Sequence, residues 1–364
     1  MQSAGLMGMF GRKALITMAV AIVATIIAAV LEFSGAGAVL VFGVSAVALA
    51  GLASMVGEGT DQLGHRLGPG ATGVLQSALG NLPELFIAYF ALRAGLVVVV
   101  QTALVGSILA NSLLVLGIAF FAGGLKNGVQ KFGTTQTRMI SNLLLLSVAA
   151  LSIPAFATAP GAPDVGHAED LSVIVAIVLL VVFAASIPFS LKGGPGASAE
   201  ETPTESVWPL PVAIGVLVVA AVGAAFVSEW FVDSLTPAMG ALGISESFVG
   251  LVIVAIAGNA VENVVGVQMA VRNKPDLAIS LILNSSLQIA FAMIPVLVLL
   301  SQFMGGAALT LVVSPLLIAA LALSALLGAL IVYDGESTWL EGLALIGLYV
   351  IIAAAVWWGP AIAP

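Results

Sequence analysis

Two glutamates stand inside long apolar stretches of the chain: Glu84 in Gly80-Asn81-Leu82-Pro83-Glu84 and Glu262 in Gly258-Asn259-Ala260-Val261-Glu262. The two G-N-x-x-E segments are copies of one pattern, 178 positions apart, and the same offset carries Ser107 onto Ser285. Each glutamate is therefore followed 23 residues later by a serine. An ionisable side chain within a membrane segment is costly and marks an ion pathway. A duplicated one beside a helix-weakening glycine is the pattern of an ion site built from an internal repeat.

The residue types around the glutamates define the chemistry. Pro83 removes a backbone donor and frees a carbonyl, so the first copy should open the helix beside Glu84. The second copy has only Gly258 to loosen it. Each opened turn offers carbonyl oxygens next to a carboxylate and the amide oxygen of Asn81 or Asn259. Facing helices add Ser107, Asn111, Ser285, Ser286 and Gln288, each readable as a ligand or as a helix-packing contact. Two carboxylates among neutral oxygens suit a hard cation, and Ca2+ takes about six to eight such ligands. The chain has no cysteine and no histidine in a span, which argues against zinc or copper.

Two glutamates close together in a low dielectric cannot both stay ionised and empty. A divalent cation neutralises them, and so do two protons, so cation and protons become alternative occupants of one site. If only the neutralised site crosses between inward- and outward-open states, exchange follows without a second pathway. Glu58 and Glu229, in the related triplets Val56-Gly57-Glu58 and Val227-Ser228-Glu229, fall at span ends. They read as interfacial acids or as proton-relay groups, with Asp61 and Asp233 weaker candidates. His65 and His167 read as loop residues. The spans show no catalytic aspartate pair, Ser–His pair or zinc motif, so the chain reads as a transporter without a cofactor rather than an enzyme.

The elements that position these groups follow from composition. Of 364 residues, 61% are hydrophobic and only 8% charged, with a mean hydropathy of +1.20. Too few charges remain to cover a soluble surface, and a net charge of −8 disfavours nucleic acid. Apolar stretches of about 20 residues fall at 13–31, 36–56, 71–92, 95–122, 137–158, 170–191, 208–231, 247–271, 276–302, 307–332 and 339–358. This predicts an all-α polytopic membrane protein of eleven transmembrane helices. The first span follows Arg12 and Lys13 but lacks a convincing cleavage site, so it is kept as a helix. With the N-terminus inside, nine of the ten basic residues fall in cytoplasmic segments and only Arg93 outside, a strong positive-inside bias that places the C-terminus outside. The expected organisation is an N-terminal segment and helix (1–34), a first five-helix repeat (35–191), a flexible cytoplasmic linker (192–207) and an inverted second repeat (208–364). The basic stretch from Lys126 to Arg138 reads as a topology determinant that contacts anionic lipid.

The stretches 79–117 and 258–291 resemble the two α-repeats of the Ca2+/cation antiporter superfamily, most closely its Ca2+/H+ exchanger branch. Further matches are Gly124-Leu125-Lys126 with Gln130-Lys131-Phe132, Ser245-Glu246-Ser247-Phe248-Val249-Gly250-Leu251, and Asp334-Gly335-Glu336-Ser337-Thr338-Trp339-Leu340-Glu341-Gly342. The resemblance implies that Glu84 and Glu262 are the transport carboxylates and that the fold is eleven helices with inverted five-helix repeats. It further implies alternating-access exchange of Ca2+ for H+ in the plasma membrane of a prokaryote, with a homo-oligomer left open. Two departures stand out: Asn263 replaces the family's histidine after the second glutamate, and Asn284 precedes Ser285-Ser286 where the family has glycine. Leu82-Pro83-Glu84 leans toward the Na+/Ca2+ exchanger branch, whereas glycine at Gly80 and Gly258 leans away from it. Na+ coupling, or another divalent cation such as Mn2+, is the alternative.

Overall fold

The structure, a computed structural model, describes residues 6–67, 79–162, 164–191 and 208–357. The expected linker at 192–207 and residues 71–78 of the third span lie outside them. The helices are α1 (Leu6–Phe33), α2 (Ala38–Leu67), α3 (Leu82–Arg93), α4 (Val97–Asn127), α5 (Thr134–Ala157), α6 (Ala168–Leu191), α7 (Leu210–Leu242), α8 (Glu246–Gly258), α9 (Ala260–Val271), α10 (Pro275–Ser301), α11 (Pro315–Ile331) and α12 (Trp339–Trp357). Two short strands, β1 (Gln130–Lys131) and β2 (Glu336–Ser337), pair antiparallel. Among the described residues eight helices are long and apolar enough to cross a membrane, or nine if α8 and α9 are taken as one bent span. Their outward faces carry Val23, Ile26 and Val30 on α1, Ile174, Val178 and Val181 on α6, and Leu340, Val350 and Ile351 on α12. Their buried faces carry many alanines, serines and glycines. That is the distribution expected when lipid is the solvent and close backbone approach holds helices together.

The chain divides into two compact units, one of residues 1–90 with 185–243, the other of 91–184 with 244–364. In the first, α2 packs on both α1 and α7. Gly51 lies so close to the Ala21 backbone that a Cβ would come within 2.9 Å of it. Gly59 meets Leu217, Leu52 meets Gly223, and Phe42 stacks on Phe231 with centroids 4.9 Å apart. The residue numbers rise along α2 as they fall along α7, so the two helices run antiparallel. Trp208 seals one end: its N–H donates to Gln62 Oε1 at 2.8 Å, its carbonyl accepts from Arg66, and its ring meets Phe10 edge-on.

These helices correct three expectations. α2 continues to Leu67 and α7 to Leu242, so Glu58, Asp61, Glu229 and Asp233 lie within helices rather than at span ends, and His65 is a helix residue rather than a loop one. Hydropathy falls at these acids, but each helix runs on past them, α7 even past Pro237. α7 is stopped only at Gly243, which adopts φ 64° and donates to the Met239 carbonyl, as a left-handed C-cap requires. Conversely, α11 begins only at Pro315, capped by Ser314, so residues 307–314 of the tenth expected span are apolar but not helical.

In the second unit α4 is the central helix, with 83% of its most apolar window buried. Its first half packs on α8, where Gly106 abuts the Leu251 backbone and Gly250 abuts the backbone of Val99 and Ala103. Its second half packs on α12 through Gly117 against Gly342 and Gly124 against Trp339. The connections gather at two ends. At one, segments 127–133, 270–276 and 333–338 are bonded together through Gln130 to Ala270, Gly133 to Asp276 and Phe132 to Gly335. At the other, Gln101 donates to the Thr310 carbonyl, Leu311 N donates to Ser172 Oγ and Ser245 Oγ donates to the Val356 carbonyl.

Candidate functional site

Both G-N-x-x-E motifs lie at a turn from which a helix starts. Gly80 and Asn81 form a turn before α3 begins at Leu82, and Asn259 forms a turn before α9 begins at Ala260. The two asparagine carbonyls then accept the first bonds of the new helices, from Leu85 N at 2.9 Å and from Asn263 N at 3.1 Å. Each glutamate is thus the third residue of its helix, where the partial positive charge of the helix N-terminus favours an anion. Glu84 is buried, 2% exposed. The second copy breaks without a proline, and α8 and the helix beyond it are bent by 63°. The break falls at Asn259 (φ −96°, ψ 26°), not at Gly258, which stays helical. Asn259 donates its side-chain amide to the Ala255 carbonyl at 2.9 Å, a local side-chain bond of the kind that competes with helix continuation.

Around this break the structure assembles a buried polar cluster. Asn111 Nδ2 donates to Asn259 Oδ1 at 3.1 Å and to Ser285 Oγ at 3.0 Å, and Ser285 Oγ lies 3.5 Å from Asn259 Oδ1. Beside it Ser112 Oγ and Ser286 Oγ are 3.4 Å apart. Asn111, Asn259 and Ser286 are wholly buried, and Ser112 and Ser285 almost so. The amide oxygen of Asn111 has no hydrogen-bond partner. Every group here is neutral and all but the amide N–H groups can present an oxygen, which suits a hard cation and offers nothing to a soft one.

Helix irregularity makes this convergence. α4 widens into a π turn at Ala110–Val115 and α10 at Ile289–Met293, and α8 carries a third at Val249–Val254. A regular helix turns about 100° per residue, which would separate neighbours such as Asn111 and Ser112. Asn111 and Ser112 lie in the π turn of α4, where the rotation per residue is smaller, and both meet α10. In α10 the wide turn precedes Pro295, which cannot donate to the preceding turn. In α8 it leaves the Leu251 carbonyl to accept from Tyr349 Oη at 3.3 Å. The sequence offered no signal for Ser112, because π turns have no recognisable composition.

The other expected site residues are placed as follows. Ser107 is wholly buried on α4, one turn before Asn111. Gln288 is half-buried at the start of the α10 π turn and takes no part in the Asn111–Asn259–Ser285 bonds. Asn81 is half-buried at its turn, and Glu262 has its backbone in the first turn of α9. Glu58 and Glu229 are half-buried in α2 and α7. The antiparallel contacts place Glu58 beside the Leu217 level and Glu229 beside the Phe42 level, roughly 20 Å apart along the pair at 1.5 Å per residue. They are not brought together.

The remaining motifs act as staples in the second unit. Gln130 Nε2 donates to the Ala270 carbonyl and to Asn273 Oδ1, both at 2.9 Å. Lys131 pairs with Glu336 at 2.8 Å, which holds its ammonium above the ordinary lysine range through their hydrogen bond and charge. Thr338 and Glu341 form a reciprocal capping box at the start of α12. Ser245 caps α8 by accepting from Phe248 N at 3.0 Å.

A family model described as sodium/calcium exchanger protein matches residues 37–192 and 212–358. A protein named Ca(2+)/H(+) antiporter from Synechocystis is 36% identical over 347 residues, covering 90% of this chain and 93% of its own length. Ca(2+)/H(+) antiporter ChaA of Bacillus subtilis is 36% identical over 323 residues, covering 86% and 91%. The solved structure of native YfkE, 32% identical, superposes with a TM-score of 0.81 over 94% of this chain and 99% of that one.

Proposed function

The chain belongs to the sodium/calcium exchanger protein family, and from that premise we propose that it is a secondary antiporter exchanging Ca2+ for H+ by alternating access. Glu84 and Glu262 are the carboxylates whose charge is neutralised in turn by one divalent cation or by two protons. Asn81, Asn259, Ser107, Ser285 and Gln288 supply neutral oxygens, and Glu58 and Glu229 pass protons toward the carboxylates.

The observation that carries this reading is the buried Asn111–Asn259–Ser285 cluster at the break that starts the Glu262 helix. A set of neutral oxygens held away from water beside a helix N-terminus has no need of partners from solvent. It becomes a cation site once a carboxylate joins it. In the arrangement described, the Asn111 amide occupies the oxygens of Asn259 and Ser285, so a bound cation would take its place and turn the amide oxygen inward. The Synechocystis and Bacillus relatives, both named Ca(2+)/H(+) antiporter, favour protons as the counter-ion.

The reading includes eleven crossings with the N-terminus inside and the C-terminus outside. An even number of helices separates the connections after the fourth, eighth and tenth spans, so they should share a side, and segments 127–133, 270–276 and 333–338 do meet at one end. That end carries Lys126, Lys131, Arg138, Arg272 and Lys274, a basic cluster that favours the cytoplasmic side. An inverted repeat is favoured by the antiparallel course of α2 and α7, the second and seventh spans. Bacterial relatives fit a prokaryotic plasma membrane.

Purified chain in proteoliposomes should take up Ca2+ when a pH gradient is imposed and little when an equal Na+ gradient replaces it. Uptake driven by Na+ alone would instead establish the sodium-coupled alternative to which Leu82-Pro83-Glu84 points.

A further inference from the structure

The two copies of the motif helix end alike in backbone and differently in side chain. α3 closes with Gly95 at φ 78°, Gly95 N bonding to Leu92 O and Leu96 N to Ala91 O. α9 closes with Asn273 at φ 60°, Asn273 N bonding to Ala270 O and Lys274 N to Met269 O. The two left-handed residues are 178 positions apart, the same offset that relates the glutamates. Both ends have the six-to-one closure of a Schellman motif, in which glycine is the favoured residue. Asn273 is the one non-glycine with positive φ among the described residues.

What the asparagine adds is an anchor. Its Oδ1 accepts from Gln130 Nε2, which also bonds the Ala270 carbonyl, and Asn127 Nδ2 donates to the carbonyls of Ala270 and Val271 at 3.2 and 3.3 Å. Gln130 is 2% exposed, and a Cβ on Gly123 would overlap its Oε1, so the amide has a fitted seat. These donors satisfy carbonyls that a helix C-terminus leaves open. All of them come from α4 or the strand that follows it, and α4 also holds the start of α9 through Asn111 and Asn259. α9 is therefore hydrogen-bonded to the α4 segment at both ends. Gly95, lacking a side chain, can give α3 no such tie.

We propose that Gln130 and Asn273 are positioning residues for Glu262: their clamp fixes α9 against α4, and so fixes the backbone that carries Glu262 relative to the Asn111–Asn259–Ser285 oxygens. This rests on the reading of Glu262 as a transport carboxylate. It makes the two repeats inequivalent at the C-terminal end of the motif helix, where α9 carries the side-chain tie of Asn273 and α3 ends in Gly95.

The test uses purified full-length chain and three variants, Asn273→Gly, Gln130→Leu and the two combined. Glycine keeps the left-handed turn, so Asn273→Gly removes the Gln130–Asn273 bond of the clamp without breaking the helix end. Equilibrium Ca2+ binding by calorimetry should weaken roughly fivefold in Asn273→Gly, the effect of losing one net hydrogen bond. The pH at which protons displace half of the bound Ca2+ should move up with it. The double variant should bind no more weakly than Gln130→Leu alone, because both changes break one contact. A lowered melting temperature with Ca2+ affinity and displacement pH both unchanged would mean a plain helix cap and overturn the proposal, as would fully additive effects. If the parent chain binds no Ca2+ at all, the functional reading fails. Hydrogen exchange at the amides of 260–271 then decides the clamp separately, since it should quicken in Asn273→Gly, and unchanged exchange would refute it.

Discussion

Asn111→Leu tests the polar cluster most directly. Leucine branches at the same carbon as asparagine and is bulkier, but donates nothing, so the substitution removes two interhelical hydrogen bonds, to Asn259 Oδ1 and Ser285 Oγ. Asn259 Oδ1 is then left with the longer 3.5 Å contact from Ser285. In membrane interiors such bonds are worth about 0.6 kcal/mol on average and up to about 1.7 kcal/mol, less than the several kcal/mol that bare desolvation of an amide suggests. The expected loss is therefore roughly 1–3 kcal/mol, since the unfolded chain in the bilayer also finds partners for its polar groups. A loss near 2 kcal/mol changes the folded-to-unfolded ratio by a factor of about 30. Denaturant unfolding in mixed micelles reads this loss, and Ca2+ uptake into proteoliposomes reads the function. Stability should fall by the stated amount, and uptake should fall far more than the folded fraction does. An Asn111→Leu protein with unchanged stability would show that the cluster is not hydrogen-bonded as described. One that is destabilised yet transports normally per folded molecule would remove Asn111 from the ion pathway.

Three further outcomes follow from the same geometry. Glu84→Gln and Glu262→Gln should each abolish exchange while leaving the chain folded, because glutamine keeps the size and an oxygen but leaves one charge against a divalent cation; near-normal transport by either variant sinks the two-carboxylate scheme. Gly250→Ala should destabilise the α4–α8 contact by roughly 3 kcal/mol or more, because the new Cβ meets the backbone of Val99 and Ala103, which cannot rotate away; a wild-type melting profile would contradict this packing. The chain has no cysteine, so Val129→Cys and Val165→Cys, both at exposed positions, can be probed with impermeant thiol reagents on intact cells, and only the second should react from outside.

Local chemistry made the helix breaks legible in the sequence. Gly80, Asn81 and Pro83 disfavour continuous helix by their own backbone properties, and the repeat at an offset of 178 pointed to a second break beside Glu262, expected at Gly258 and found at Asn259. The spans were legible for a similar reason, since a bilayer demands a minimum length of apolar chain. Their ends were less so: Glu58 and Glu229 lower the hydropathy of α2 and α7 without ending them, because a helix stops at a breaker or a cap and not at a charge. The resemblance motifs could be quoted but not explained. That Gln130 ties α9 and that Lys131 meets Glu336 depend on loops more than 100 residues apart meeting at one end of the second unit. The cluster itself belongs wholly to tertiary structure. Asn111, Asn259 and Ser285 are three polar residues among apolar ones in the sequence, each as fit for packing as for binding. They become one site only because α4, the break before α9 and α10 meet there, with the π turn of α4 carrying Asn111, and that meeting is decided by packing between helices rather than by any residue's own preference.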